Sequence, residues 1–297
     1  MQSKNLKQLY ILPFDHRASF FRDLFGWQEP LNAKQKAKVK EAKGIIFEAF
    51  KKVKRRMNSA LPEGTLGVLV DEEFGSEILR AAKKLGAVVI LTTEKSGQKI
   101  FDFEYGPKFG QHILKFKPDY AKVLVRYNPV HKKDNLAQLK NLKKITDFCK
   151  KNKIGFLFEL LVPASPAQVK KFGKSYDLKA RPALSLRAIK EIRAAGIQPD
   201  IWKLEAMPKN YWSKIIKAGG KAKIVILGRA GSKAMVSQWL KTAAQFKDII
   251  GFAVGRTIFY SPLEKWRDGK LTKNQAVDLI AKNFEYFINL WQKSKRS

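Results

Sequence analysis

Apolar residues along the chain gather in short, nearly continuous runs, separated by longer segments in which apolar positions recur every three or four residues. The runs are LYILPFDHR (9–17), TLGVLVDEE (65–73), AVVILTTE (87–94), YAKVLVRYN (120–128), IGFLFELLV (154–162), DIWKLEAM (200–207), KIVILGRAG (223–231) and IGFAVGRTI (250–258). Unbroken runs rich in β-branched and aromatic residues predict strands covered on both faces, as in parallel sheets. The intervening periodicity predicts helices over 33–57, 76–85, 135–151, 184–195, 209–218, 232–245 and 273–293, with a weaker helical segment, QHILKFKPD, at 111–119. Strand–helix units repeated in this way predict an α/β fold, a (β/α)8 TIM barrel, with an open doubly wound sheet as the alternative. No glycine-rich linker or shift in composition interrupts the pattern, so residues 1–297 are expected to form a single domain.

The 297 residues are 45% apolar and 11% aromatic, enough to bury a large core and too much for a disordered chain. No stretch approaches 18 uncharged apolar residues, so no membrane partner is expected. The early apolar stretch YILPF runs directly into Asp15, His16 and Arg17, unlike a secretory signal, and a cytoplasmic location is expected. Cys149, in DFCKK, has no partner for an internal disulfide and is expected as a small core residue on a helix.

Charge is the unusual property. Lysine and arginine total 59 against 26 acidic residues, a net charge of +33. Such a surplus suggests nucleic acid, but only 13 of the 59 are arginines, the residue favoured for recognising bases and phosphates. The lysines are spread along the whole length. The densest run, 34–56, carries Ile45, Ile46, Phe47, Phe50 and Val53 at helical spacing, which predicts an amphipathic helix with a lysine-rich solvated face. A nucleic-acid partner is therefore not expected; a phosphorylated small molecule would benefit from the same positive field. Association into a homo-oligomer is left open.

In a barrel the active site lies at the carboxyl ends of the strands. Here the runs end in Asp15 and Arg17, Asp71, Thr92, Arg126, Glu159, Lys203 with Glu205, Arg229, and Arg256. Lys203 sits between Trp202 and Leu204; it is either a solvated side chain or a desolvated amine able to attack a ketone and form a Schiff base, since desolvation disfavours the ammonium form. Glu205 shares its face and either tunes the site or forms an ion pair. Glu159, inside GFLFELLVP, is either a buried ion-pair partner or a general acid/base with a raised pKa. Lys122 and Arg126 share a face by the two-residue period; either could pair with Glu159 or bind an anionic substrate. The strand ends LGRAG and VGRTI each contribute a Gly-Arg pair, Gly228–Arg229 and Gly255–Arg256, where barrels often hold a phosphate.

The sequence lacks GxxxxGK[ST], GxGxxG, HExxH and GxSxG. Of its three histidines, His112 and His131 are expected at the surface, while His16 ends a strand and is a candidate for substrate contact. No metal site and no cofactor are expected.

The segments YILPFDHRASF, VDEEFG, RPALSLRAIKEIRAAGIQPDIWKLEA, VILGRAG and GFAVGRTIFYSPLEKW resemble the 2-deoxy-5-keto-gluconate-6-phosphate aldolase family of myo-inositol catabolism, a class I aldolase-like domain often fused behind 5-dehydro-2-deoxygluconokinase. The likeness spans essentially the whole chain. A more distant likeness is to tagatose-bisphosphate aldolase. The resemblance implies a (β/α)8 Schiff-base aldolase in which Lys203 forms the imine, Glu159 moves protons, and Asp15 and Lys122 assist near the cleaved bond. It also implies that Arg229 and Arg256, with Gly228 and Gly255, hold the phosphate. Arg17 and Arg126 are further candidate contacts to the substrate. The implied reaction cleaves 2-deoxy-5-keto-gluconate 6-phosphate to dihydroxyacetone phosphate and malonic semialdehyde. The sequence has Ala206 where that family carries glycine after the K-[IL]-E triplet, and LGRAG where it reads LGRG. The alternatives are an aldolase for another phosphorylated ketose, a phosphosugar isomerase using Glu159 as base, and a non-catalytic barrel binding phosphosugar or nucleic acid.

Overall fold

A computed structural model describes residues 6–296; residues 1–5 and 297 of the expected domain lie outside the described residues. Eight parallel strands close into a barrel in sequence order: β1 (Leu9–Pro13), β2 (Leu66–Val70), β3 (Val88–Thr92), β4 (Tyr120–Arg126), β5 (Gly155–Leu161), β6 (Ile201–Leu204), β7 (Lys223–Leu227) and β8 (Ile249–Ala253). The last strand pairs with the first, Leu9 opposite Gly251 and Ile11 opposite Ala253. The fold is the (β/α)8 TIM barrel the sequence predicts. The strands are shorter than most of the apolar runs, whose ends continue past the sheet into the loops of the mouth.

The helices are α1 (Ala18–Phe25), α2 (Ala33–Arg56), α3 (Glu72–Lys84), α4 (Phe109–Phe116), α5 (Lys132–Asn152), α6 (Pro166–Phe172), α7 (Tyr176–Lys179), α8 (Arg181–Ala194), α9 (Lys209–Gly219), α10 (Lys233–Ala244), α11 (Arg256–Arg267) and α12 (Lys273–Arg296). Asn32 and Gln35 form a reciprocal capping box at the start of α2, and the Asp71 side chain caps α3 by accepting from the Phe74 amide at 2.8 Å. The predicted helices are all present, while α1, α6, α7 and α11 add to them. Cys149 is buried on α5, as expected.

Two apolar layers hold the barrel. Leu9, Ile11, Leu69, Ile90, Leu157, Ile201 and Val225 fill its interior, while the opposite faces of the same strands pack on the helices. One lysine departs from the solvated face expected for 34–56. Lys43 is fully buried and paired with Asp71, beside the rings of Phe20 and Phe74. None of the described helices is long and apolar enough to cross a membrane.

Candidate active site

The two-residue period of each strand that fills the barrel with aliphatic groups delivers polar groups one layer higher. Ile90 is followed by Thr92 and Glu94, Tyr120 by Lys122, Leu157 by Glu159, and Ile201 by Lys203. Register then brings these groups together: Thr92 pairs with Lys122 across β3 and β4, and Glu159 with Lys203 across β5 and β6.

Lys122 is the hub. Its side chain is 1% exposed, and its Nζ lies 2.8 Å from Asp15 Oδ2, 2.6 Å from Glu94 Oε1 and 2.9 Å from Glu159 Oε2. Asp15 Oδ2 also accepts from the Thr92 hydroxyl at 2.8 Å. Glu159 is shared, since its Oε1 lies 2.8 Å from Lys203 Nζ, and Lys203 is 5% exposed. Buried charges persist only when paired in this way. Burial works against the Lys122 ammonium, but Asp15, Glu159 and Glu94 outweigh it and hold its pKa well above the ordinary lysine value. Burial likewise works against the Asp15 carboxylate, but Lys122 chiefly, then His16 and Lys203, keep its pKa below the carboxylate range.

Of the two readings of Glu159, the buried ion pair is the one the structure contains, and the raised pKa is not. Burial alone would raise its pKa, but two ammonium groups, Lys122 and Lys203, outweigh burial and lower it. The carboxylate is therefore ionised and pairs with Lys203 at contact distance. His16 lines the same cavity with its Nδ1 unpartnered. Burial, opposed by Asp15 and reinforced by Arg256 and Lys203, brings its pKa down to about 4, so the imidazole is neutral at pH 7.

Above this layer opens a cavity of about 970 Å³ reached by every candidate residue: Asp15, Arg17, Lys122, Arg126, Glu159, Lys203, Gly228, Arg229, Gly255 and Arg256. The arginines are held differently. Arg17 binds the Glu104 carboxylate and the Glu94 carbonyl oxygen. Arg126, at the end of β4, donates to the Gln98 carbonyl oxygen at 2.7 Å. Arg229 is engaged by Asp177 at 2.7 Å and Glu205 at 3.1 Å. Among the described residues, Arg256 has only the Asp23 carboxylate, at 3.6 Å. Glu205 also meets Arg181 at 3.2 Å and accepts from the Val162 amide at 3.1 Å, so it is an ion-pair partner at the cavity wall.

Glycine at 255 is required by packing, because a Cβ there would lie 2.3 Å from the Pro13 carbonyl oxygen. It starts α11 with no side-chain cap, so the first N–H groups of that helix sit beside Arg256 at the cavity rim. At the neighbouring strand end, Arg229 and Ala230 adopt φ values of 46° and 53°, a left-handed pair inside the turn closed by the Gly231 amide donating to the Gly228 carbonyl at 2.8 Å.

Two groups escaped sequence reasoning. Glu94 was passed over, although the inward parity of Val88, Ile90 and Thr92 points to it. His112, expected at the surface, is instead half-buried: its ring stacks on Tyr105 with centroids 3.5 Å apart, and its Nδ1 lies 2.7 Å from Glu72. His131 is exposed.

A family model described as "Uncharacterized protein conserved in bacteria (DUF2090)" matches residues 1–295. A search of curated proteins gave no match. Among solved structures, the chain is similar to Cgl0159 of Corynebacterium glutamicum, at 16% identity over 95% of this chain and 87% of that one, with a TM-score of 0.58. It is also similar to a Schiff-base-forming fructose-1,6-bisphosphate aldolase, at 13% identity over 96% of each chain and TM-score 0.58. An archaeal fructose-1,6-bisphosphate aldolase, solved with its catalytic lysine bound to the carbinolamine intermediate of the substrate, matches at 12% identity over 96% and 94% of the chains, TM-score 0.58. At these identities the likeness establishes the barrel fold.

Proposed function

The chain belongs to the DUF2090 family, and we propose that it is a class I aldolase that cleaves a phosphorylated keto-sugar through a Schiff base on Lys203. The observation that carries this reading is the contrast between the two buried lysines of the barrel. Lys122 is committed to three carboxylates and stays an ammonium. Lys203 faces the cavity with one carboxylate, Glu159, at ion-pair distance. The two aldolases that share the fold are described as Schiff-base-forming or lysine-bound, which supports the same chemistry.

Glu159 takes a proton from the Lys203 ammonium, and the freed amine attacks the ketone carbon. The resulting carbinolamine hydroxyl takes that proton back and leaves as water. Nitrogen then carries, as an iminium, the positive charge the ammonium had, so the charge facing Glu159 is conserved. Glu159, ionised again, takes the proton of the β-hydroxyl as the carbon–carbon bond breaks. Its electron pair neutralises the iminium as an enamine, and an aldehyde departs. Glu159 returns that proton to the enamine carbon, and water hydrolyses the restored iminium to release the second product and free Lys203. Lys122 holds Asp15, Glu94 and Glu159 in place through its three ion pairs.

The phosphate is assigned to Gly255 and Arg256, where helix N–H groups and a loosely held guanidinium coincide. The substrate that best fits the sequence resemblance is 2-deoxy-5-keto-gluconate 6-phosphate, giving dihydroxyacetone phosphate and malonic semialdehyde. The test is reduction with borohydride in the presence of dihydroxyacetone phosphate. The expected result is one adduct, mapped by mass spectrometry to Lys203. A wild-type protein that gains none is not a Schiff-base aldolase.

A further inference from the structure

Outside the barrel, a cavity of about 660 Å³ lies between α8 and α9. Leu186, Ala194 and Ala218 form its apolar part, and Lys190, Arg193, Lys214 and Lys217 surround them. None of these residues lines the cavity above Lys203. Arg193 and Ala194 lie in the last turn of α8, and Lys217 and Ala218 in the last turn of α9. Those helix ends lead into β6 and β7, so the cavity lies toward the amino ends of the strands, opposite the mouth. Lys190 and Arg193 stand about one turn apart on α8, as do Lys214 and Lys217 on α9. The three lysines are exposed, and Arg193 is half-buried. The Arg193 guanidinium is held in place. Its Nη1 donates to the Ala218 carbonyl at 2.7 Å, and Gly220, at φ 74°, leaves it room, since a Cβ there would lie 2.6 Å from Nη2.

On other helices of this chain, lysines meet carboxylates a turn away: Lys38 with Glu41, Lys51 with Glu48, Lys143 with Asp147. Here none of the four cations has a carboxylate at ion-pair distance among the described residues. The sequence offers them little. Residues 206–247 contain neither aspartate nor glutamate, and the one acid of α8, Glu191, is taken by Arg187 at 2.7 Å and by the Tyr127 hydroxyl at 2.9 Å. Each helix C-terminus carries about half a negative charge, so the two nearby ends offset only about one of the four positive charges.

We infer that this cavity binds a compact polyanion made of two or more linked phosphates. An oriented guanidinium and several ammonium groups suit phosphate oxygens. The apolar part is too small to anchor a protein partner, which needs buried aromatic or large aliphatic groups. No aromatic ring lines the cavity to stack a base, which disfavours single-stranded nucleic acid. The inference goes beyond the aldolase reading and does not rest on it.

The test is titration calorimetry at moderate salt, where distant charges are screened. The probes are inorganic triphosphate, inorganic phosphate, ATP and a uridine oligonucleotide. Triphosphate is expected to bind at least about tenfold more tightly than phosphate, and Arg193→Gln with Lys214→Gln to remove at least about tenfold of that affinity. Should loss of the Arg193 contact to Ala218 impair folding, the exposed set Lys190→Gln, Lys214→Gln and Lys217→Gln takes its place. Arg256→Ala, at the mouth, and the paired change Lys36→Ala and Lys40→Ala are expected to alter triphosphate binding by less than about twofold. ATP binding as tightly as triphosphate, or more so, assigns the site to nucleotides; weaker binding assigns it to inorganic chains. The inference is overturned if triphosphate shows no advantage over phosphate, if the cavity variants bind it like the wild type, or if either control loses as much. It is also overturned if the oligonucleotide binds more tightly than triphosphate through the same four residues, which would make this a nucleic-acid surface.

Discussion

Lys203 and Glu159 face each other in register on β6 and β5, with nitrogen and oxygen 2.8 Å apart. The same carboxylate reaches Lys122 through its other oxygen, at 2.9 Å. One strand pairing therefore links Lys203 to the Lys122 ammonium. Removing either lysine leaves Glu159 a partner, but the two losses are unequal.

Lys203→Met should fold, because Glu159 keeps Lys122. It should lose at least about a thousandfold in kcat, since the covalent route is closed. Retention of more than about a tenth of wild-type turnover would remove Lys203 from the nucleophile role.

Lys122→Met should be far more harmful to stability. It strands Asp15 and Glu94 beside Glu159, which keeps Lys203, and breaking a buried pair costs about 3–5 kcal/mol. Chemical denaturation should show a larger loss than for Lys203→Met; an equal or smaller loss would contradict the hub role.

Glu159→Gln keeps the shape of the side chain and removes its proton transfer. Turnover should fall about 10²–10⁴-fold, read from steady-state kinetics. Normal turnover would leave Glu159 as an ion-pair partner alone.

The acid side of the stability profile follows from Asp15 and Glu159, whose folded pKa values are lowered. Their stabilising contribution is fully present above the unfolded carboxylate range, near pH 4–5, and is lost as pH falls through the folded values. Denaturation midpoints measured from pH 7 to 3 should fall gently below about pH 6.5. There unfolded His16 binds a proton that the folded residue, with its pKa lowered to about 4, does not. The fall should steepen below about pH 5 as the carboxylates contribute. Asp15→Asn should flatten that fall; an unchanged slope would remove Asp15 from the linkage.

Arg256→Ala should raise KM for a phosphorylated substrate at least about tenfold, matching one charge-assisted hydrogen bond of about 1.5–3 kcal/mol. Lys36→Ala with Lys40→Ala should change it less than about twofold at moderate salt, where distant charges are screened. Equal effects of Arg256→Ala on phosphorylated and unphosphorylated ligands would place the phosphate elsewhere.

The barrel was legible because its strands are buried on both faces, so their apolar runs are unbroken. Lys203 and Glu159 were legible as charges inside such runs. The direction of the Glu159 shift was not, because it depends on how far the Lys122 side chain reaches from a neighbouring strand. Helices α6 and α7 lie in a polar link with Pro163 and Pro166 and little periodicity, and α11 begins directly where β8 stops and contains Pro262. Lys43 looked like one more solvated lysine; its burial depends on Asp71, 28 residues away.

The pairing of β1 with β8 also sets an order of assembly during synthesis. Asp15 emerges from the ribosome early, Lys122 and Glu159 follow, and the strand that closes the ring ends only at Ala253. Helix α12, which clasps α2 through Lys52–Asp278 and Arg56–Glu285, arrives last. Until then the charges of the site belong to an open sheet whose two edge strands still await each other. The nascent chain must keep those edges from pairing with other chains, and the high positive charge of every copy makes such encounters mutually repulsive.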